Sequence, residues 1–211
     1  YLDSLSDSNF SHIEHTKLRE DTWILTNDMI NLLLDKLDKQ PRRVGNVFGK
    51  IFQGLATSKD DVYFLQDCNE SSCLVTGYSN QLKRTVKVEK GLVRPLLKGE
   101  DVHRYDVITT NRVVIFPYKM VEGKAVLYEE KELERLYPNG YSYLKECETI
   151  LRNREKGRLL NDDLWYRYIY PKNLILFDNE KLVAPDISMG GNFAFDIKGQ
   201  FYQTTTIYGY I

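Results

Sequence analysis

Short β-branched and aromatic runs fill residues 47–128 and return over 165–207, while the zone between them carries helical spacing. A parallel, doubly wound sheet needs strand and helix in alternation. Two strand-rich zones bracketing helices instead predict an α+β domain with mixed or antiparallel sheets and about three helices. Strands are expected over 47–52, 61–66, 74–78, 84–88, 112–116 and 124–128, then over 165–170, 174–177, 181–184, 193–197 and 200–207. Ile30, Leu33, Leu34 and Leu37 repeat at helical intervals behind Thr26 and Asn27, either of which can cap, so a helix is expected over 27–37. Further helices are expected over 129–136, closed by Pro138-Asn139-Gly140, and over 142–156, with Leu144, Cys147 and Leu151 on one face and Gly157 at the end.

The densest local signal is the stretch from Leu92 to Tyr105 together with Arg112 to Tyr118. Pro95 fixes its own φ and drives Arg94 out of the helical region, and Gly99 permits a turn, so a bend or short helical turn is expected between them. The apolar run ending at Pro117 reads as a buried strand that holds this bend, around which sit Arg94, Lys98 and Arg104. Surface cations commonly do no more than solvate such a bend.

At 211 residues the chain can bury a core of its own. No apolar run approaches the roughly 18 residues of a membrane helix, and the N-terminus lacks the pattern of a secretion signal. Three cysteines make no disulfide framework. These features predict a cytoplasmic protein without a membrane partner. Tyr1 at the start and an apolar stretch at the end point to a piece of a larger protein, with residues 1–46 linking to an absent domain and 47–211 forming the main one. The net charge of −1 is not that of a strongly basic nucleic-acid binder. Its distribution is uneven: residues 41–120 carry 13 Lys and Arg against 8 Asp and Glu, whereas residues 1–40 carry 4 against 8. An electropositive middle beside an acidic flank fits one face for nucleic acid and another for a different partner.

Few residue constellations point to catalysis. Cys68-x4-Cys73 with His12-x2-His15 is a poor zinc spacing, and the cysteines read equally as neighbours across a hairpin. No nucleophile elbow or phosphate loop occurs, and Asp178, Glu180 and Lys181 on a strand do not converge on one metal. The loop Gly54 to Asp61 places Thr57, Ser58 and Lys59 on a glycine hinge, residue types that bond phosphates and base edges, although an ordinary polar turn has the same composition. Over 165–170, strand alternation sets Tyr166, Tyr168 and Tyr170 opposite Trp165, Arg167 and Ile169. The tyrosines then either stack on bases or form a cross-strand ladder on a sheet.

Taken in order, Gly54 to Phe64, Val93 to Tyr105 with Val113 to Tyr118, Tyr137-Pro138 with Tyr143-Leu144, Leu151-x2-Arg154, Trp165 to Pro171, Lys181 to Ser188 and the hairpin Phe193 to Tyr202 resemble the TaqI-like C-terminal specificity domain. This is the target-recognition part of adenine-specific DNA methyltransferases and of the restriction enzymes fused to them. The resemblance implies a module that binds double-stranded DNA and positions it for a catalytic methyltransferase domain of the same polypeptide. That domain carries S-adenosylmethionine and an Asn/Asp-Pro-Pro-Tyr motif for a flipped adenine. No Pro-Pro-Tyr occurs in this chain, so methyl transfer, a cofactor and a metal are not expected of it. The expected DNA-contacting residues are Thr57, Ser58 and Lys59 in the groove, and Arg94, Lys98, Arg104, Arg167 and Lys172 on phosphates or bases. The competing expectation is a subunit-docking module whose acidic first forty residues and exposed aromatics meet a protein, and a lesser one is a metal-dependent nuclease.

Overall fold

The computed structural model describes His15, Leu18, Trp23 and residues 25–211. The chain divides into two compact units, Tyr1–Val47 and Phe48–Ile211. In the first, helix α1 (Asp28–Asp38) begins where the Asn27 side chain accepts the Ile30 N–H at 3.0 Å, which satisfies one of the free amides of the first turn. A single turn, α2 (Val44–Val47), follows. Among the described residues no helix is long and apolar enough to cross a membrane.

The second unit is α+β. Its strands are β1 (Ile51–Gln53), β2 (Phe64–Glu70), β3 (Leu74–Ser79), β4 (Arg84–Glu89), β5 (Val93–Leu97), β6 (Val113–Ile115), β7 (Tyr118–Val121), β8 (Lys124–Leu127), β9 (Lys181–Pro185), β10 (Ala194–Asp196), β11 (Tyr202–Gln203) and β12 (Ile207–Tyr210). A six-stranded sheet runs β11-β5-β6-β2-β3-β4, a four-stranded one β1-β12-β9-β10, and β7 pairs with β8. Every pairing is antiparallel except β11 with β5. The helices are one turn before β2, α3 (Asp60–Tyr63), and a run after β8, α4 (Glu130–Leu136), α5 (Pro138–Glu146), α6 (Glu148–Arg152) and α7 (Arg154–Gly157).

An aromatic chain ties the sheets together. Phe52 on β1 meets Phe177 at 5.5 Å between centroids, Phe177 meets Tyr202 on β11 at 5.0 Å, and Tyr202 meets Phe116 at 5.0 Å. Phe116 continues to Tyr118 and Tyr168, and Tyr168 meets Tyr63 edge-on at 5.0 Å. Such pairs contribute about 0.5–1.5 kcal/mol each beyond the area they bury. Each buried phenol also bonds a polar group: Tyr168 donates to the Ile115 carbonyl at 2.6 Å and Tyr63 to that of Tyr166 at 2.8 Å.

Several expected elements take another form. The bend between Pro95 and Gly99 is strand β5, whose Pro95 sits opposite Val113 of β6. Proline is tolerated there because β11 pairs only with Leu96 and Leu97, so nothing on that side asks for the missing N–H. Pro138-Asn139-Gly140 starts α5 instead of ending α4. Proline suits a first helical position, and the Glu89 carboxylate at the end of β4 accepts the N–H groups of Asn139 and Gly140, both at 2.9 Å. A Cβ on Gly140 would lie 2.2 Å from Leu92, so glycine is needed for the helix to approach the sheet. The helix expected over 142–156 is broken into α5, α6 and α7, while Leu144, Cys147 and Leu151 are all buried. The segments 165–170 and 174–177 are not strands: the first is irregular and the second is a 3-10 turn over Leu174–Leu176. Of the strands expected over 47–52 and 61–66, Val47 and residues 61–63 belong instead to the helical turns α2 and α3, and strand begins at Ile51 and Phe64.

Candidate nucleic-acid interface

The site is built on a close backbone crossing. The Leu55 N–H donates to the Gln203 carbonyl at 2.7 Å, and that of Gly54 to Ile207 at 3.1 Å. A Cβ on Gly54 would fall 2.1 Å from the Thr204 carbonyl oxygen, so only glycine lets residues 54–57 run against 203–205. The loop then turns at Ser58, whose φ is 62°, into α3. This sets the loop and Asp60-Asp61 beside Thr204, Thr205 and Thr206.

Between them lies a cleft in three adjoining parts. One, of about 400 Å³, is lined by the 55–61 loop, Tyr170 and Thr205. The second, of about 250 Å³, shares Asp60, Asp61 and Thr205 and adds Gln66, Asn80, Lys98 and Thr206. The third, of about 330 Å³, shares Lys98 and Thr206 and adds Gly99, Pro185 and Ile187 with the carboxylates of Glu100 and Asp186. The Thr204 and Thr206 hydroxyls bond each other at 2.7 Å, and Thr206 also accepts the Gly99 N–H at 3.1 Å.

One buried cation holds both loops that form the first part. Arg154 is 4% exposed and, among the described residues, has no carboxylate partner. Its guanidinium donates to the carbonyls of Leu151 at 2.9 Å, Thr57 at 2.9 Å, and Trp165 and Arg167 at 2.8 Å each, and lies 5.5 Å from the centroid of the Tyr63 ring. The irregular course of 165–170 follows from this. Its carbonyls are taken by Arg154 and Tyr63, and the Tyr168 N–H by the Tyr118 hydroxyl at 2.8 Å, so it needs no strand partner. Trp165, Tyr166, Tyr168 and Ile169 are all buried, which removes both the tyrosine ladder and base stacking from that stretch except at Tyr170. Tyr170 is exposed beside the cleft, with the Arg158 guanidinium 5.9 Å from its ring centroid.

The expected contact residues fall into two groups. Ser58, Lys59 and Lys98 line the cleft, and exposed Lys172 stands two residues beyond Tyr170, its N–H donating to the Tyr170 carbonyl at 2.8 Å. Ser58 donates to Glu155 at 2.9 Å, and Lys59 lies 3.5 Å from Asp61. Thr57 is fully buried: its hydroxyl donates to Asp60 at 2.6 Å and accepts the Lys59 N–H at 3.0 Å, so it shapes the loop and presents nothing to a ligand. The Asp60 carboxyl is held above its ordinary range by burial, against the Thr57 bond and Lys98, which both lower it.

Arg94, Arg104 and Arg167 are not brought to this cleft. Arg94 donates to the carbonyls of Gly91 at 3.0 Å and Val93 at 2.8 Å and packs over Phe116. Arg104 stacks on Tyr105 at 4.9 Å, and Arg167 pairs with Asp162 at 2.7 Å. Sequence reasoning missed Arg154, Arg158, Gln66, Asn80 and the threonines. The run Thr204-Thr205-Thr206 was the one local signal available, since the rest converge only through the fold.

Other chemistry finds no support in the geometry. Among the described residues no three His, Cys, Asp or Glu side chains group as metal ligands, and His12 lies outside the described residues. Burial pushes the Cys68 thiol up to about 11, away from a thiolate ligand or nucleophile. Lys181 is buried on Asp196 at 2.7 Å, and Asp178 accepts the Tyr202 hydroxyl at 2.8 Å. No family model matches the chain.

Proposed function

We propose that the unit Phe48–Ile211 is a DNA-recognition module, of the kind the TaqI-like specificity domains represent, that reads base edges through this cleft for a separate catalytic methyltransferase domain. The observation that carries the reading is the convergence of Ser58, Lys59 and Lys98 with Gln66, Asn80 and Thr205 in one continuous cleft. Hydroxyls and carboxamides match the donors and acceptors of base edges, and lysines match phosphates. Among the described residues Lys98, Arg158 and Lys172 form no ion pair and can turn to phosphate, Lys98 from beside Asp60. Asp60 and Asp61 repel phosphate but accept from the exocyclic amines of cytosine and adenine, so their place is against bases. S-adenosylmethionine belongs to the catalytic domain, and no residue of this chain is assigned to it.

Fluorescence anisotropy of the full chain with labelled duplex DNA across a salt series tests the reading. Binding is expected with Kd of about 10⁻⁴ to 10⁻⁶ M and a steep salt dependence. Replacing Lys98 and Lys172 by Gln should flatten the log–log slope by about 0.9 per lost phosphate contact. Asp61→Asn should tighten binding to all sequences and reduce discrimination between them. Affinity that ignores salt, or Gln variants that bind like the parent, would sink the proposal.

A further inference from the structure

We propose that β10 is a docking edge for an extended, apolar peptide segment with acidic residues at its ends, which adds to the four-stranded sheet as a further strand. This surface shares no residue with the DNA cleft, and the inference does not depend on the proposed DNA reading.

β10 is the outermost strand in the order β1-β12-β9-β10, so among the described residues one side of its backbone has no strand partner. Beside it runs a cleft of about 430 Å³ whose opposite wall is the loop 105–108. The Tyr105 N–H donates to the Phe193 carbonyl at 3.3 Å, which holds that loop alongside the start of the strand. Phe195 is 55% exposed, Ile197 62%, Tyr105 84% and Val107 81%, a contiguous apolar surface at an open edge. Natural sheet edges usually carry charge or proline in such places.

The edge is also rigid. Asp196 is buried with its carboxylate on Lys181 at 2.7 Å and on the N–H groups of Gln200 at 3.1 Å and Phe201 at 3.0 Å. A strand fixed in this way loses little further freedom when another adds to it.

Charge selects the occupant. Arg104 stands beside Tyr105 at the start of the strand, and Lys198 lies just past its end, with neither in an ion pair among the described residues. The one carboxylate lining the cleft and open to solvent, that of Asp106, accepts the Val107 N–H at 2.8 Å. A cation at each end of an apolar edge complements a strand with an acid at each end. Duplex DNA is a poor match, because most of the wall is apolar, with Val107, Ile108, Leu182, Phe193, Phe195 and Ile197 outnumbering the Tyr105 hydroxyl and the Gln200 carboxamide.

The test is anisotropy of the full chain with a labelled peptide that alternates valine and threonine between terminal glutamates, against its lysine-ended counterpart. The glutamate-ended peptide is expected to bind about fivefold or more tightly than the other, the size of two exposed charge pairs. Exchanging Arg104 and Lys198 for Glu should reverse that preference, and Phe195→Lys should abolish binding of both while the thermal melt stays near that of the parent. Methylating alternate peptide nitrogens on the pairing side should also abolish binding. No binding of the glutamate-ended peptide, equal binding of the two peptides, or binding that survives both Phe195→Lys and nitrogen methylation would each overturn the proposal.

Discussion

Arg154→Met is the sharpest test of how this fold holds its cleft. The substitution preserves most of the side-chain length and removes four hydrogen bonds to backbone carbonyls. It also removes the guanidinium's own desolvation penalty, so the loss is set by the carbonyls left behind. Arg167 keeps a long bond from Tyr63 at 3.4 Å. The Thr57 and Trp165 carbonyls lose their donor and stay buried, and so does that of Leu151, which lies in the last turn of α6 where carbonyls have no intrahelical partner, at about 1–3 kcal/mol each. The expected destabilisation is therefore about 3–9 kcal/mol, a large fraction of the roughly 5–15 kcal/mol that domains possess. At about 2–4 °C per kcal/mol for a chain of this size, Tm should fall by at least about 6 °C, and the urea midpoint should fall without a change in slope. Arg154→Lys should recover only part, because an ammonium cannot span carbonyls on three segments. A melt within a degree of the parent would refute the assignment of Arg154 as the clamp between the 56–59 loop and 165–170. Unchanged DNA affinity in a folded variant would refute its bearing on the cleft.

Three further outcomes follow from buried polar groups. The phenols of Tyr63, Tyr168 and Tyr202 are pushed up first by burial, so they stay neutral in the fold while they ionise in the unfolded chain. Their contribution is whole below pH of about 10 and is lost as pH rises above it, so melts at rising alkaline pH should fall steeply, with tyrosinate absorbance appearing together with unfolding. Gradual ionisation of the folded protein would contradict their burial. Asp196→Asn leaves the buried Lys181 ammonium without its counter-charge and should cost about 3–5 kcal/mol by urea denaturation; a loss under about 1 kcal/mol would show that Lys181 is not confined there. Gln203 is fully buried, and among the described residues neither its amide nitrogen nor its side-chain oxygen has a hydrogen-bond partner, so Gln203→Leu should stabilise by about 1–3 kcal/mol. Destabilisation would mean that the amide is satisfied in solution.

What could be read from sequence was whatever the chain decides locally. Asn27 ahead of a helical apolar repeat, the alternation in β3 and β4, and the buried run of β6 all depend on neighbours within a few residues, and each appears where expected. The misreadings arise where a distant group changes the local rule. Pro138 looks like a terminator until Glu89 supplies a carboxylate for the helix it begins. Pro95 looks like a bend until one sees that β11 starts only at Leu96. Trp165 to Tyr170 alternates like a strand, yet its backbone is satisfied by Arg154, Tyr63 and Tyr118 from three other segments. In the site, Ser58, Lys59 and Lys98 were legible from residue type and turn chemistry. Thr57 was not, because a hydroxyl that caps a turn and one that meets a ligand have the same sequence signature.

The arrangement separates what shapes the cleft from what faces into it. Arg154, Thr57, Tyr63 and Gly54 fix the path of the two loops through buried contacts, and none could change without leaving a polar group unmatched or a backbone clash. Ser58, Lys59, Lys98, Tyr170 and Lys172 project from that frame and are at least partly exposed, so their replacement alters surface chemistry with little penalty to the fold. Loops held by side chains also differ from loops held by ladder bonds. A strand that changes its register moves every side chain to the other face, whereas 165–170 is pinned at single carbonyls and keeps its course whatever Tyr170 or Lys172 become. A frame of this kind can present different residues to different ligands from one backbone, which is what the proposed reading of DNA sequences requires of it.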